Sequence, residues 1–317
     1  MNAGKRSRVT TPCLTVQLLR EGIVESVHSC QAAIVDHRGR VLSVAGSAST
    51  VTFARSVLKP IQAIALLNSG AMSHWQLAEA DLAIACGSHQ GTVAQARQVF
   101  HLLWQCNLDA EVLQCPIPEG KSSPLQHNCS GKHAGMLAVC QMMGWNVREY
   151  MDKHHPVQQL ILQIMAEMLH MPSAEFISAR DDCGVPTYLL ELGQLGHLFA
   201  QLVSSDRLQW EMISRAMIQY PEMVAGSGKF DTELMMQSEG TLISKSGAEG
   251  VQCVARVGEG LALALKVADG SARARNACTI HLLQQLGWLT PAGAEKLADS
   301  FLMYSPYSRL ETVGELS

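Results

Sequence analysis

A serine hydroxyl becomes a useful nucleophile when a neutral amine stands close enough to take its proton, and the chain offers one such spacing, Ser56-Val57-Leu58-Lys59. Three positions apart on a helical turn, the two side chains share a face and can touch. Lysine is ordinarily protonated, so burial or a neighbouring cation must bring it down from a pKa of about 10.4. Pro60 follows directly and disfavours the α region for the residue before it. A single turn leading into a helix that starts near Pro60, with apolar Ile61 to Leu67 behind it, satisfies both demands. The spacing alone also arises by accident, so it needs support from elsewhere in the chain.

Two further segments supply it. Ala83-Ile84-Ala85-Cys86-Gly87-Ser88-His89-Gln90-Gly91 is a run of small residues that delivers a serine between two glycines, which lets backbone come close to a ligand. The same glycines also fit a plain turn before a helix at Ala94, with Ser88 or Thr92 as its cap. The third segment is Ser244-Lys245-Ser246-Gly247-Ala248-Glu249-Gly250, just ahead of a strand at Val251. Ser56-x-x-Lys59, then Ser88, then Lys245-Ser246-Gly247 follow the chain order of the three elements of penicillin-recognising serine enzymes. A fourth cluster, His127-Asn128-Cys129-Ser130-Gly131-Lys132-His133, gathers thiol, amine and imidazole, and Arg180-Asp181-Asp182-Cys183 adds carboxylates and another thiol. Metal binding and simple burial of the cysteines both remain open there, since Cys-x-x-Lys is not a usual zinc spacing.

The elements that must position these groups change character along the chain. Leu14 to Leu19, Ala32 to Val35 and Val41 to Ala45 read as strands, the last two forming a hairpin across Asp36-His37-Arg38-Gly39. Val251 to Val257 and Leu261 to Val267 make a second hairpin across Gly258-Glu259-Gly260. Between them the apolar period is helical: Val157, Leu160, Ile161, Ile164, Met165, Met168 and Leu169 form one wide face before Pro172. Helices are also expected over Ala94 to Trp104, Gly135 to Met143, Tyr188 to Leu202, Leu208 to Ile218, Ala272 to Leu286 and Pro291 to Met303. The expected class is α/β of the α+β type: an antiparallel sheet from the N- and C-terminal segments, flanked by helices, with a mostly helical middle lobe. One catalytic domain is expected, its α/β lobe from about residues 1–90 and 221–317 and its helical lobe from about 91–220. The cleft between them is the natural site, with the third segment on an edge of the sheet.

Composition narrows the partners. With 317 residues, 47% of them hydrophobic and 16% charged, the whole chain should be folded around a large core. A net charge of -4, from 24 basic and 28 acidic residues, offers no footprint for nucleic acid or an anionic membrane. No apolar run approaches the length of about 18 residues that a span requires. Thr10, Thr11, Pro12 and Gln17 interrupt what would be the apolar core of a signal peptide, and ten scattered cysteines read as cytosolic thiols. The expected setting is the cytoplasm and the expected assembly a homodimer.

Together, Arg55-Ser56-Val57-Leu58-Lys59-Pro60, Cys86-Gly87-Ser88-His89, Asn128-Cys129-Ser130-Gly131-Lys132-His133-Ala134-Gly135-Met136, Asp181-Asp182-Cys183-Gly184-Val185-Pro186 and Lys245-Ser246-Gly247-Ala248-Glu249-Gly250 resemble the asparaginase II family, the rhizobial-type, thermolabile class. The resemblance runs from about Pro12 to Gly287. It implies a serine β-lactamase and glutaminase-like fold, L-asparagine as substrate, and aspartate and ammonia as products. It also implies two Ser-Lys pairs, Ser56 with Lys59 and Ser88 with Lys245, and a zinc ion held by Cys129, Lys132 and Cys183. Arg55, His89, Asn128, Asp181 and Glu249 are the expected substrate-binding residues. The expected mechanism is a covalent acyl-enzyme on Ser56, with Lys59 as base and Ser88 with Lys245 as a second relay. The rivals are a glutaminase, a penicillin-interacting hydrolase, or a metal-dependent amino-acid-binding protein that does no catalysis.

Overall fold

The computed structural model describes residues 11–204 and 208–317. The basic residues that open the chain lie outside the described residues. The first strands are β1 (Leu14–Arg20), β2 (Ile23–Asp36), β3 (Val41–Ala45) and β4 (Val51–Phe53). Helices α1 (Lys59–Asn68), α2 (Ala71–His74), α3 (Glu79–Ala85), α4 (Val93–Gln105), α5 (Ser130–Met143) and α6 (Pro156–Leu169) follow. Strands β5 (Ser178–Arg180) and β6 (Pro186–Glu191) then lead to α7 (Leu192–Leu202), α8 (Leu208–Gln219), α9 (Pro221–Val224) and α10 (Phe230–Gln237). The chain closes with β7 (Leu242–Gly247), β8 (Val251–Arg256), β9 (Leu261–Val267), α11 (Ala272–Gln285), α12 (Pro291–Phe301), β10 (Met303–Ser305) and β11 (Ser308–Val313). Among the described residues no helix is long and apolar enough to cross a membrane.

The main sheet runs β10-β11-β1-β2-β9-β8-β7, every pairing antiparallel, so the two ends of the chain do build one sheet. β1 and β3 lie end to end along one side of β2, with β9 on its other side. Alternation along the strands sorts side chains into two layers. On β9, Ala262 and Ala264 join the larger core with α1 and α3 to α8, whereas Leu263 and Leu265 join the smaller core under α10, α11 and α12. Small residues on the first face let α7 approach closely: a Cβ on Gly196 would sit 2.6 Å from Val35. α1 and α3 pack on α5, α6 and α8, so the segment after Ser56 runs into the helical side of the molecule.

Three sequence expectations change. Tyr188 to Leu202 is not one helix, because Pro186–Glu191 is β6, which pairs β4 and β5 in a separate three-stranded sheet. α5 begins at Ser130, five residues ahead of the expected Gly135. The last helix ends at Phe301, two residues short of the expected Met303, and Met303–Ser305 and Ser308–Val313 follow as strands, β11 pairing β1.

Candidate active site

Ser56 lies on a 3-10 turn, Arg55–Leu58, that passes into α1 with Pro60 in its first turn, the geometry that the proline requires. Arg55 has φ of +51°. A non-glycine residue held in the left-handed region costs on the order of 1–3 kcal/mol, so the surroundings must hold it there. Its N–H donates to Thr187 Oγ1 at 3.0 Å, its Nε donates to buried Asp181 Oδ1 at 2.7 Å, and its other end meets exposed Asp182. Partial burial opposes the charge, but the Asp181 and Asp182 carboxylates hold the guanidinium above its usual pKa. Ser56 is half-buried, and among the described residues its hydroxyl makes no hydrogen bond.

Lys59 is fully buried, and its Nζ donates to Gly87 O at 2.6 Å, Ser88 Oγ at 2.9 Å and Asn128 O at 3.1 Å. Lys59 thus bonds Ser88, and among the described residues no hydrogen bond joins it to Ser56. Burial pushes this amine below its usual range, with Cys129 opposing and Lys132 assisting. As a neutral amine, Lys59 has two N–H groups and one lone pair. The two carbonyls occupy the N–H groups, and the lone pair is left for the proton of the Ser88 hydroxyl. Ser88 is itself pinned by its N–H donating to Val224 O at 2.7 Å. Gly87 beside it has no room for a side chain, since a Cβ would lie 2.5 Å from Met223 O.

Lys245 sits on β7, the edge strand, which packs against the 55–58 turn. It is fully buried; its Nζ donates to Ser246 O at 2.7 Å and stands 3.9 Å from Asp231 Oδ2. Burial pushes its pKa down to about 8, with Asp231 opposing and the Lys59 and Arg275 charges assisting. Two buried amines that repel each other are thus placed around Ser88 and the Ser56 turn.

Cys129 caps α5, Lys132 follows in its first turn, and Cys183 lies in the loop between β5 and β6. Lys132 Nζ donates to Cys183 Sγ at 3.2 Å and is 3.7 Å from Asp181 Oδ2. A hydrogen bond from the Cys183 thiol holds Cys129 well below its usual pKa, and the same bond raises Cys183. Against burial, the Cys129 and Asp181 charges keep Lys132 protonated. The three side chains therefore converge as a thiolate, a thiol and an ammonium. Among the described residues no three His, Cys, Asp or Glu side chains gather to hold a metal, so a metal here needs the Lys132 amine as its third donor. Two sulfurs and an amine suit a soft divalent ion such as zinc once the surplus protons leave.

Of the other expected binding residues, His89 and Asn128 stand beside Lys59, the His89 backbone N–H donating to Asn128 O at 3.3 Å. His89 is buried with both nitrogens engaged: Nδ1 accepts from Gly91 N–H at 3.1 Å and Nε2 donates to Ser130 Oγ at 2.9 Å. Burial lowers its pKa to about 3, so it stays neutral and braces the loop that carries Ser88. Asn128 brings its carbonyl to Lys59 while its side chain is exposed. Glu249 is exposed in the β7–β8 turn beside Gly270, with φ of +61°. Thr187 and Asp231 were not singled out from the sequence; neither belongs to a recognisable motif, and both act through contacts far along the chain.

A family model described as L-asparaginase II matches residues 16–317. A comparison with curated proteins found no match. Among solved structures, the chain is similar to Mglu in its native form, at 13% identity over 81% of this chain and 64% of that one, with a TM-score of 0.48. It is also similar to a second Mglu structure, at 14% identity over 82% of this chain and 67% of that one, with a TM-score of 0.49. A beta-lactamase from Mycobacterium bovis aligns at 14% identity over 86% of this chain and 95% of that one, with a TM-score of 0.36. The chain spans less than two thirds of the length of the native-form Mglu chain.

Proposed function

The chain belongs to the L-asparaginase II family, and from that premise we propose that this amidohydrolase converts L-asparagine to L-aspartate and ammonia through an acyl-enzyme. Ser56 Oγ attacks the carboxamide carbon, and its proton passes by way of Ser88 to the Lys59 lone pair. Backbone N–H groups near Ser56 stabilise the oxyanion. The departing nitrogen takes a proton from the Ser88, Lys59 and Lys245 group and leaves as ammonia. Water then attacks the ester carbon, giving its proton to the same group, and aspartate is released with Ser56 restored. The observation that carries this reading is the Lys59 amine, buried and held by two carbonyls with its third position on Ser88 Oγ at 2.9 Å.

The same bond favours a second reading in which Ser88 is the nucleophile and Ser56 assists. Locating the acyl group in the wild-type protein separates the two, because the nucleophile carries it and the assisting serine does not. Arg55 and Asp181, already paired with each other, match the α-carboxylate and α-amine of an amino acid in charge and order.

We propose zinc at Cys129, Lys132 and Cys183. Bound there it would supply positive charge that helps to orient the substrate. The ten cysteines are all unpaired, which suits the proposed cytoplasmic setting; a homodimer is the proposed assembly. The test of function is ammonia release over a panel of L-asparagine, L-glutamine and a chromogenic lactam. Asparagine should be the best substrate. Faster glutamine hydrolysis or lactam opening would replace the substrate, and tight asparagine binding without ammonia would replace the activity.

A further inference from the structure

β7 is an edge strand, so the N–H groups on its outer side have no neighbouring strand to receive them. Side chains alternate along it: Ile243 joins the larger core, Lys245 reaches the same side, and Ser244 and Ser246 turn toward α10. Asp231, in the first turn of α10, meets that second face. Its Oδ1 accepts from Ser244 Oγ at 2.7 Å and Gln252 Nε2 at 2.9 Å. Its Oδ2 accepts from Ser246 N–H at 2.9 Å and Ser246 Oγ at 2.5 Å. Four donors fill the acceptor capacity of one carboxylate.

We propose that Asp231 is a positioning residue for the hydrolysis: its carboxylate clamps Ser244, Ser246 and Gln252 from behind β7 and so holds the Lys245 amine at the reacting serines. The inference rests on the reading of the site given above. Saturation matters as much as the clamp. A carboxylate with four donors has no free lone pair for the lysine proton, so Asp231 serves Lys245 as a fixed charge at 3.9 Å rather than as a base. Despite full burial, the Lys245 and Arg275 charges and the bonds from Ser246 and Gln252 keep Asp231 ionised below its usual pKa. Lys245 is thereby held between this one carboxylate and the groups around it, Lys59 from α1, Arg275 from α11, Cys129 at the start of α5 and Cys86 at the end of α3.

Asp231→Asn keeps the shape but removes the charge and turns one acceptor into a donor. Folded D231N should lose about 10- to 100-fold in kcat, the scale of a misplaced catalytic group, with KM nearly unchanged. The acidic limb of its pH profile should move down by about one unit, because an amine that loses its counter-charge gives up its proton more easily. Asp231→Glu should restore the position of the limb but not the full kcat. A folded D231N with wild-type kcat and an unmoved limb overturns the proposal. If D231N does not fold, Ser244→Ala and Gln252→Leu each remove one of the four bonds and should give smaller losses in the same direction; folded and unchanged, they overturn it too. Failure of the functional reading looks different, since the wild-type protein itself then releases no ammonia. In that event a nitrogen-15 titration of the Lys245 amine, assigned with Lys245→Met, reads the clamp without turnover. Its midpoint falls in D231N if the inference holds and stays put if it does not.

Discussion

Lys59 and Lys245 are both wholly buried; burial lowers the proton affinity of each, and the Lys59 charge lowers that of Lys245 further. At neutral pH the two cannot both stay charged cheaply, which is the condition for the group they form with Ser88 to accept a proton and return it later. Lys59→Met and Lys245→Met should each reduce kcat by at least about 100-fold, the low end for general acid-base groups. Base catalysis needs the neutral amine, whose fraction grows with pH. The rate of ammonia release should therefore rise through about pH 8, where Lys245 titrates; a flat profile would show that this amine does not titrate in the reaction. The thiolate, thiol and ammonium at Cys129, Cys183 and Lys132 carry protons that a metal must displace. Zinc affinity, measured by competition with a chromogenic chelator, should strengthen as pH rises. Cys183→Ala should weaken it and raise KM more than it lowers kcat; equal zinc content in this variant would refute the site. At this scale the motif residues were legible because their types and spacing announce chemistry. Thr187, 132 positions from the Arg55 that it holds, announces nothing locally.

Among the elements, strands with clean alternation or turn residues could be read directly, as β8 and β9 show. The error at Tyr188 to Leu202 has a physical cause: Tyr188, Leu190, Leu192 and Leu195 are all buried, and a strand passing straight into a helix leaves one unbroken apolar run. β1 and β2 meet at Glu21 and Gly22, and Ile23, Val24 and Val27 stand exposed, so no buried face marked the first half of β2. The start of α5 was missed for a related reason, since Ser130, Gly131 and Lys132 look polar but are buried. Gly131 explains why: a Cβ there would lie 2.1 Å from Ile84 O, so α5 packs on α3 through bare backbone. Gly131→Ala should destabilise the fold by about 1–3 kcal/mol, as overpacking does, measurable by denaturant unfolding. A neutral substitution would mean that the two helices are not in such close contact.

At the scale of the whole molecule, the larger core includes residues of β7, β8 and β9 together with those of α1, α5, α6, α7 and α8. The sheet and the helical side therefore share one interior, and unfolding followed by circular dichroism and by tryptophan fluorescence should give one coincident transition. Two separated transitions would show that the lobes hold together independently. This shared core brings a turn near residue 56, a loop near 88, a helix start near 130 and a strand near 245 to one place. The general plan of terminal sheet and helical middle could be inferred from the change in apolar period, but the convergence itself depends on tertiary packing. The covalent intermediate tests it most directly. During turnover of L-asparagine, acid-quenched protein is digested and its peptides weighed. An aspartyl increment on the peptide carrying Ser56, absent in Ser56→Ala, is the predicted result; an increment on Ser88, or none while ammonia is being released, would contradict it.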